Sequence, residues 1–315
     1  MSNAYYDNLP ETQLTIRSRI LKIPDLKLIE KIGDGGMSTV WKAFDAANNR
    51  YVAVKILNDN LSTRGEEVRA LKLEERRMEE IRHPGIVQAY DFDNIDGHWY
   101  IVMEYVDGYT FSDYLVRRHR VPESDCLLIA ESVASALSYA WNDHGIVHCD
   151  IKPENLMINS EGTIKILDLG VSYRFQFKSD DQQKLASHIT GTPAYIAPEQ
   201  VLANVELDCR ADIYSLGATL YHLATGKPLF PGYDNEGSMR AHCNETVQAK
   251  DPRLYRPELS KGFAQMLEAM LVKNRDSRVS SWNEVYAIAQ AVESGAIFPP
   301  RETEGASSLL LSPYG

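Results

Sequence analysis

The sequence predicts an α+β fold in which strands crowd the first third of the chain and helices dominate the rest. Runs rich in β-branched and aromatic residues, at Leu26 to Ile32, Tyr51 to Leu57 and Trp99 to Val106, all fall early in the chain, and such residues suit a pleated, half-buried surface. Later on, apolar residues recur at helical spacing from Pro122 to Tyr139 and from Asp212 to Leu223. A chain of 315 residues can bury one large core or two smaller ones.

Composition narrows the class. A net charge of −11 argues against a general affinity for nucleic acid or an anionic membrane. Cys126, Cys149, Cys209 and Cys243 are widely spaced and form no C-x-x-C, so neither a disulfide framework nor a zinc site is expected and a reducing compartment is the default. No run of eighteen apolar residues occurs and the N-terminus lacks a signal pattern. The expectation is a cytoplasmic chain without a membrane span.

In chain order, residues 1–25 read as a polar extension. The strand from Leu26 runs into Gly33-Asp34-Gly35-Gly36-Met37-Ser38, where glycines let backbone amides approach phosphate groups without obstruction by Cβ. Taken alone, this stretch reads equally as a hairpin turn. In Tyr51 to Leu57 the two-residue period sets Ala53 and Lys55 on one face, with Val52 and Val54 towards the core. Residues 64–82 carry Val68, Leu71, Met78 and Ile81 at helical spacing, with Glu74 on the same stripe and Glu75 beside it. The strand from Trp99 ends in a linker at Asp107-Gly108.

The chemistry concentrates between His148 and Gly170. Leu156 to Ile158 and Ile164 to Leu167 flank the turn Asn159-Ser160-Glu161-Gly162, the pattern of a tight hairpin. Antiparallel pairing makes Asn155, entering it, and Asp168, leaving it, neighbours. A carboxamide and a carboxylate oxygen together suit Mg²⁺, which takes one or two protein ligands plus substrate phosphates. Asp150 and Lys152 lie just upstream. Residues 171–190 show no periodicity and read as a mobile segment, and from 293 the chain reads as a tail.

H-x-D-x-K-x-x-N from His148 to Asn155 and D-x-G from Asp168 resemble the catalytic loop and metal-binding turn of eukaryotic-type (Hanks-type) serine/threonine protein kinases. The V-A-V-K ending at Lys55, the glycine loop and Gly191 to Glu199, with its A-P-E, extend the resemblance over roughly residues 26–290. The glycine loop resembles bacterial members most, with Ser38 where the third glycine usually stands. The resemblance implies a two-lobed fold: a small β-rich lobe with helix C at 26–104, a larger mostly helical lobe at 105–292 and a tail at 293–315.

It further implies transfer of the ATP γ-phosphoryl group to a Ser or Thr hydroxyl of a protein. Asp150 would be the base and Lys152 the phosphate clamp. Asn155 and Asp168 would hold Mg²⁺, and Lys55, steadied by Glu74, would position the α/β-phosphates. Gly33, Gly35, Gly36, Val40, Ala53, Met103, Glu104, Val106 and Met157 would surround the nucleotide, Met103 as gatekeeper and the backbone of 104 and 106 on the adenine edge. Thr192 would bond Asp150 and Lys152. Asp212 would hold the catalytic-loop backbone, and Arg278 would pair with Glu199. Tyr214 stands where the family usually has Trp.

A nucleotide-binding scaffold, or pseudokinase, is the alternative. Its usual signature is loss of the strand lysine, the catalytic Asp or the metal Asp, and Lys55, Asp150 and Asp168 are all present. Leu169 stands for the usual Phe and is expected to pack near Met78 and His148. Cys149 replaces the Arg that ordinarily precedes the catalytic Asp and receives a phosphorylated activation segment. Activity is therefore expected to depend weakly on phosphorylation of Ser179, Ser187 or Thr190. Cys149 reads as a space-filling residue before a redox sensor.

Overall fold

The computed structural model describes residues 15–16, 19–20, 23–35, 38–58, 68–69, 72, 80–168, 173–174, 191–203 and 205–297. The fold is α+β. Five antiparallel strands, β1 (Leu26–Asp34), β2 (Ser38–Asp45), β3 (Arg50–Leu57), β4 (Ala89–Ile95) and β5 (His98–Glu104), form one sheet in the order β1-β2-β3-β5-β4. Its core packs Leu28, Ala43, Val52, Val54, Ile56, Tyr100 and Val102, so the alternation read in β3 holds for its valines. Ala53 on the opposite face is buried too, and Lys55 is partly so. Asp96-Gly97 closes the β4–β5 hairpin with both residues at positive φ, the conformation that a two-residue primed turn requires. In the 64–82 segment, Val68, Arg69, Lys72 and Glu80 are helical.

The chain divides into two compact units, residues 1–114, 139–148 and 153–174 in one and 115–138, 149–152 and 175–315 in the other. The division is interleaved. Backbone pairing is the reason. In the first unit β8 (Leu156–Asn159) lies between β9 (Ile164–Ile166) and β6 (Gly108–Thr110), while Ile86 bridges Ile166 and β7 (Ile146–Val147) pairs with β10 (Tyr173–Arg174). Gly108 is obligatory there, because a Cβ would fall 2.0 Å from the Ile158 carbonyl oxygen.

Helix α1 (Phe111–Arg118) is followed by α2 (Glu123–His144), which runs a turn beyond the Tyr139 end read from the sequence. The second unit is built on α4 (Cys209–Thr225), with α3 (Pro198–Leu202), α5 (Asn235–Cys243), α6 (Lys261–Met270) and α7 (Trp282–Glu293). Nearly every side chain of α4 is buried. Asp208 caps its start by accepting the Arg210 N–H, and Gly226 ends it at φ 73°, where a Cβ would press within 2.6 Å of the His119 carbonyl.

Glu199 of α3 and Arg278 form a two-bonded pair at 2.7 and 3.0 Å, with both side chains buried. Arg278 also donates to the carbonyls of Val272, Lys273 and Arg210. Truncating one partner leaves the other charged and unpaired in the interior, which costs about 3–5 kcal/mol. Chemical denaturation of Arg278→Ala should show a loss of that size. Glu199→Met with Arg278→Met should cost clearly less, since no charge is then stranded.

Candidate functional site

In the first unit, Gly33 pairs with Val40 across β1 and β2, and the Gly35 N–H donates to the Ser38 carbonyl at 2.9 Å. Gly36 and Met37 lie outside the described residues. β3 runs antiparallel to β2 and β5, setting Lys55 opposite Val40 and Ala53 opposite Met103. The Lys55 ammonium reaches the Asp168 carboxylate at 3.1 Å. Glu74, the sequence's partner for Lys55, lies outside the described residues, as do Glu75, Met78 and Leu169.

The hairpin register pairs Leu156 with Ile166, and the Leu167 N–H donates to the Asn155 carbonyl at 2.9 Å. Asn155 therefore stands opposite Leu167, with Asp168 one residue further on. Asp168 adopts φ 57°, a left-handed conformation that costs a non-glycine residue about 1–3 kcal/mol and persists where surroundings enforce it. His148 Nε2 on the Leu167 carbonyl at 2.9 Å is one such restraint. The Asp168 side chain stays 44% exposed while Asn155 is buried. Two hard oxygen donors at the end of one hairpin fit Mg²⁺.

Met103, Glu104 and Met157 are partly buried and Val106 is buried. The Glu104 N–H donates to the Gln88 carbonyl at 2.8 Å. Its carboxylate takes Lys165 of β9 at 2.5 Å, so the side chain at 104, which the sequence left without a role, ties β5 to the hairpin. Lys165 could have been found from its place between the buried Ile164 and Ile166.

The second unit holds residues 149–152 and 191–199. Thr192 Oγ1 donates to the Asp150 carboxylate at 2.7 Å and accepts from the Lys152 ammonium at 2.7 Å, while Lys152 lies 2.6 Å from Asp150. Cys149, 2% exposed, adopts φ 68°. Its N–H donates to buried Asp212 at 2.7 Å and its carbonyl accepts from Gln200 Nε2 at 2.8 Å. Thr219 donates to the Ile151 carbonyl at 3.1 Å. Gln200 and Thr219 were missed from sequence; Gln200 betrays itself as the third residue of α3, where its amide oxygen takes the Ala197 N–H at 3.0 Å.

The 191–199 segment is held by further side chains as well. Ser238 donates to the Pro193 carbonyl at 3.0 Å, Tyr195 pairs with His222 Nδ1 at 2.7 Å, and Tyr214 with His242 Nδ1 at 2.8 Å. Ser179, Ser187 and Thr190 lie outside the described residues.

Residues 26–293 match the family described as the protein kinase domain, and the chain belongs to that family. It is 34% identical over 225 residues to the serine/threonine-protein kinase PrkC of Bacillus subtilis, covering 71% of this chain and 34% of that protein. Over 302 residues it is 31% identical to the serine/threonine-protein kinase PknA of Corynebacterium glutamicum, covering 94% of this chain and 62% of the relative. It is 32% identical over 293 residues to the serine/threonine-protein kinase PknB of Mycobacterium leprae, covering 89% and 45%. The chain spans between 29% and 62% of the length of the curated relatives it matches. No described helix is long and apolar enough to cross a membrane.

Burial holds the His242 imidazole at a pKa of about 4, overriding the Ala194 and Pro193 backbone, which favours the charged ring. An unfolded histidine takes its proton below about pH 6.5. His242 therefore contributes its full stability above that pH and loses it progressively as pH falls towards 4, with a slope of at most about 1.4 kcal/mol per pH unit. Burial lowers His222 in the same direction. Urea unfolding between pH 7 and pH 4, compared between the parent chain and His242→Asn, should show a shallower decline in the variant.

Proposed function

We propose that this chain transfers the γ-phosphoryl group of ATP to a serine or threonine hydroxyl of a protein, using Mg²⁺. The reading is carried by the Thr192 hydroxyl, which joins Asp150 and Lys152 in one hydrogen-bonded set. Asp150 orients the acceptor hydroxyl and takes its proton as the new O–P bond forms and the bond to the departing ADP breaks. Lys152 neutralises charge on the transferring group. Lys55 positions the α/β-phosphates, and Asn155 and Asp168 would hold the metal. Bound there, Mg²⁺ would offset the negative charge of the phosphates. The glycine turn, Ala53, Met103, Glu104, Val106 and Met157 enclose the nucleotide. Membership of the protein kinase domain family and likeness to relatives named serine/threonine kinases support the same reading.

Transfer from labelled ATP to a generic basic protein tests it. Asp150→Asn should lower kcat by about 10²–10⁴-fold with nucleotide affinity retained, and Thr192→Val by about tenfold. Nucleotide binding without transfer by the parent chain would make it a scaffold.

Cys149 sits where the family's phosphate-receiving arginine ordinarily stands, and its buried side chain offers no cation. Phosphorylation of the activation segment accordingly has little hold on this catalytic loop. Replacing Ser179, Ser187 and Thr190 together by Ala should leave activity towards an exogenous substrate within about threefold. Loss of activity in that variant would overturn this mode of control.

A further inference from the structure

His242 lies on α5 with no exposed surface. Its Nδ1 is engaged by the Tyr214 hydroxyl at 2.8 Å. With Nδ1 accepting, the ring proton sits on Nε2, which makes no hydrogen bond of regular geometry among the described residues, although the Ala194 and Pro193 backbone favours the charged ring. A buried donor held only this loosely is costly and is rarely retained without a use. The Tyr214 ring stands edge-on to the imidazole, with centroids 5.5 Å apart, and Phe230 closes against it at 4.9 Å, fixing its plane. Ser238, one turn before His242 on α5, donates to the Pro193 carbonyl at 3.0 Å, which sets the same face of that helix against the Pro193-Ala194 stretch.

The same stretch carries the hydroxyl that touches the catalytic pair. Thr192 bonds Asp150 and Lys152, and the Tyr195 N–H closes a turn on the Thr192 carbonyl at 2.9 Å. At its other end Glu199 is locked to Arg278, whose guanidinium lies over the Tyr214 ring at 4.9 Å. Tyr214 thus stands between the anchor of the segment and the histidine behind its middle. A tryptophan at 214 would carry no hydroxyl to orient the imidazole.

We propose that Tyr214 and His242 are a positioning pair for protein-substrate docking. Tyr214 fixes the tautomer, and the His242 Nε2–H is the donor on which a carbonyl of the Pro193-Ala194 stretch closes when the acceptor protein binds. The pair touches neither substrate nor nucleotide. It acts through the backbone beside Thr192, and it rests on the kinase reading above.

Two isosteric halves of the imidazole separate this role from space-filling. Asn at 242 keeps an acceptor where Nδ1 stands and removes the distal donor. Gln reaches to the position of Nε2 and restores it. With a generic Ser/Thr protein substrate, His242→Asn should raise the substrate KM about tenfold, with the KM for ATP unchanged, and His242→Gln should return it to within about twofold to threefold of the parent. Tyr214→Phe, which leaves His242 in place but frees its tautomer, should also raise the substrate KM alone. It decides the matter if His242→Asn does not fold.

A substrate KM unmoved by these changes overturns the proposal, as does a KM for ATP that rises in step, or a Gln variant as impaired as the Asn variant. Each of those leaves the kinase reading standing. Absence of transfer by the parent chain overturns both.

Discussion

The buried carboxylate of Asp212 fixes the backbone that leads into Asp150 and Lys152. It accepts the Cys149 N–H at 2.7 Å, holding a non-glycine residue in a left-handed conformation immediately before Asp150. Gln200 takes hold of the Cys149 carbonyl and Thr219 of the Ile151 carbonyl. Three side chains from α3 and α4 thus replace the regular pairing that this stretch of backbone lacks. A loop secured this way can present Asp150 and Lys152 without drawing on their own side chains for support. Buried backbone groups need partners in any fold. Here they receive them from α3, whose Glu199 is bound to Arg278, and from α4.

That coupling explains why so much polar machinery is buried in a helical core. The Glu199–Arg278 pair, Asp212, Thr219 and His242 all lie in the interior. Apolar replacements could have served stability as well or better, since a buried ion pair seldom exceeds a hydrophobic isostere. What the polar groups add is direction. The two-bonded geometry of Arg278 on Glu199 sets the orientation of α3, α3 sets Gln200, and Gln200 sets the loop at Cys149. Each bond in this series fixes an angle that a dispersive contact would leave free.

The sequence made most of this legible, for reasons that differ from residue to residue. Val52 and Val54 announced the sheet core through their two-residue alternation, and they are wholly buried. The hairpin showed itself through its turn residues, although β-sheet register placed Asn155 opposite Leu167 rather than Asp168. Positive φ at Asp168 could not be read from composition, because it arises from the bonds around it. Partnerships between distant residues were legible only where the family resemblance supplied both members, as for Glu199 with Arg278 and Thr192 with Asp150. Gln200 on Cys149, Glu104 on Lys165 and Tyr214 on His242 escaped notice, since nothing local in the chain marks two such positions as neighbours.

The substitutions at Cys149 and Tyr214 acquire a common sense from this arrangement. An arginine before the catalytic Asp makes the loop responsive to phosphate, whereas Cys149 is a buried neutral residue whose backbone is gripped by Asp212 and Gln200. Tyr214 and His242 stand behind the segment that carries Thr192, and Arg278 links Tyr214 to its anchor. Burial keeps His242 neutral well below physiological pH, so the pair is not itself a charge switch. The backbone before Asp150 is thus held by the Asp212 carboxylate and the Gln200 carboxamide, with no cation supplied at 149.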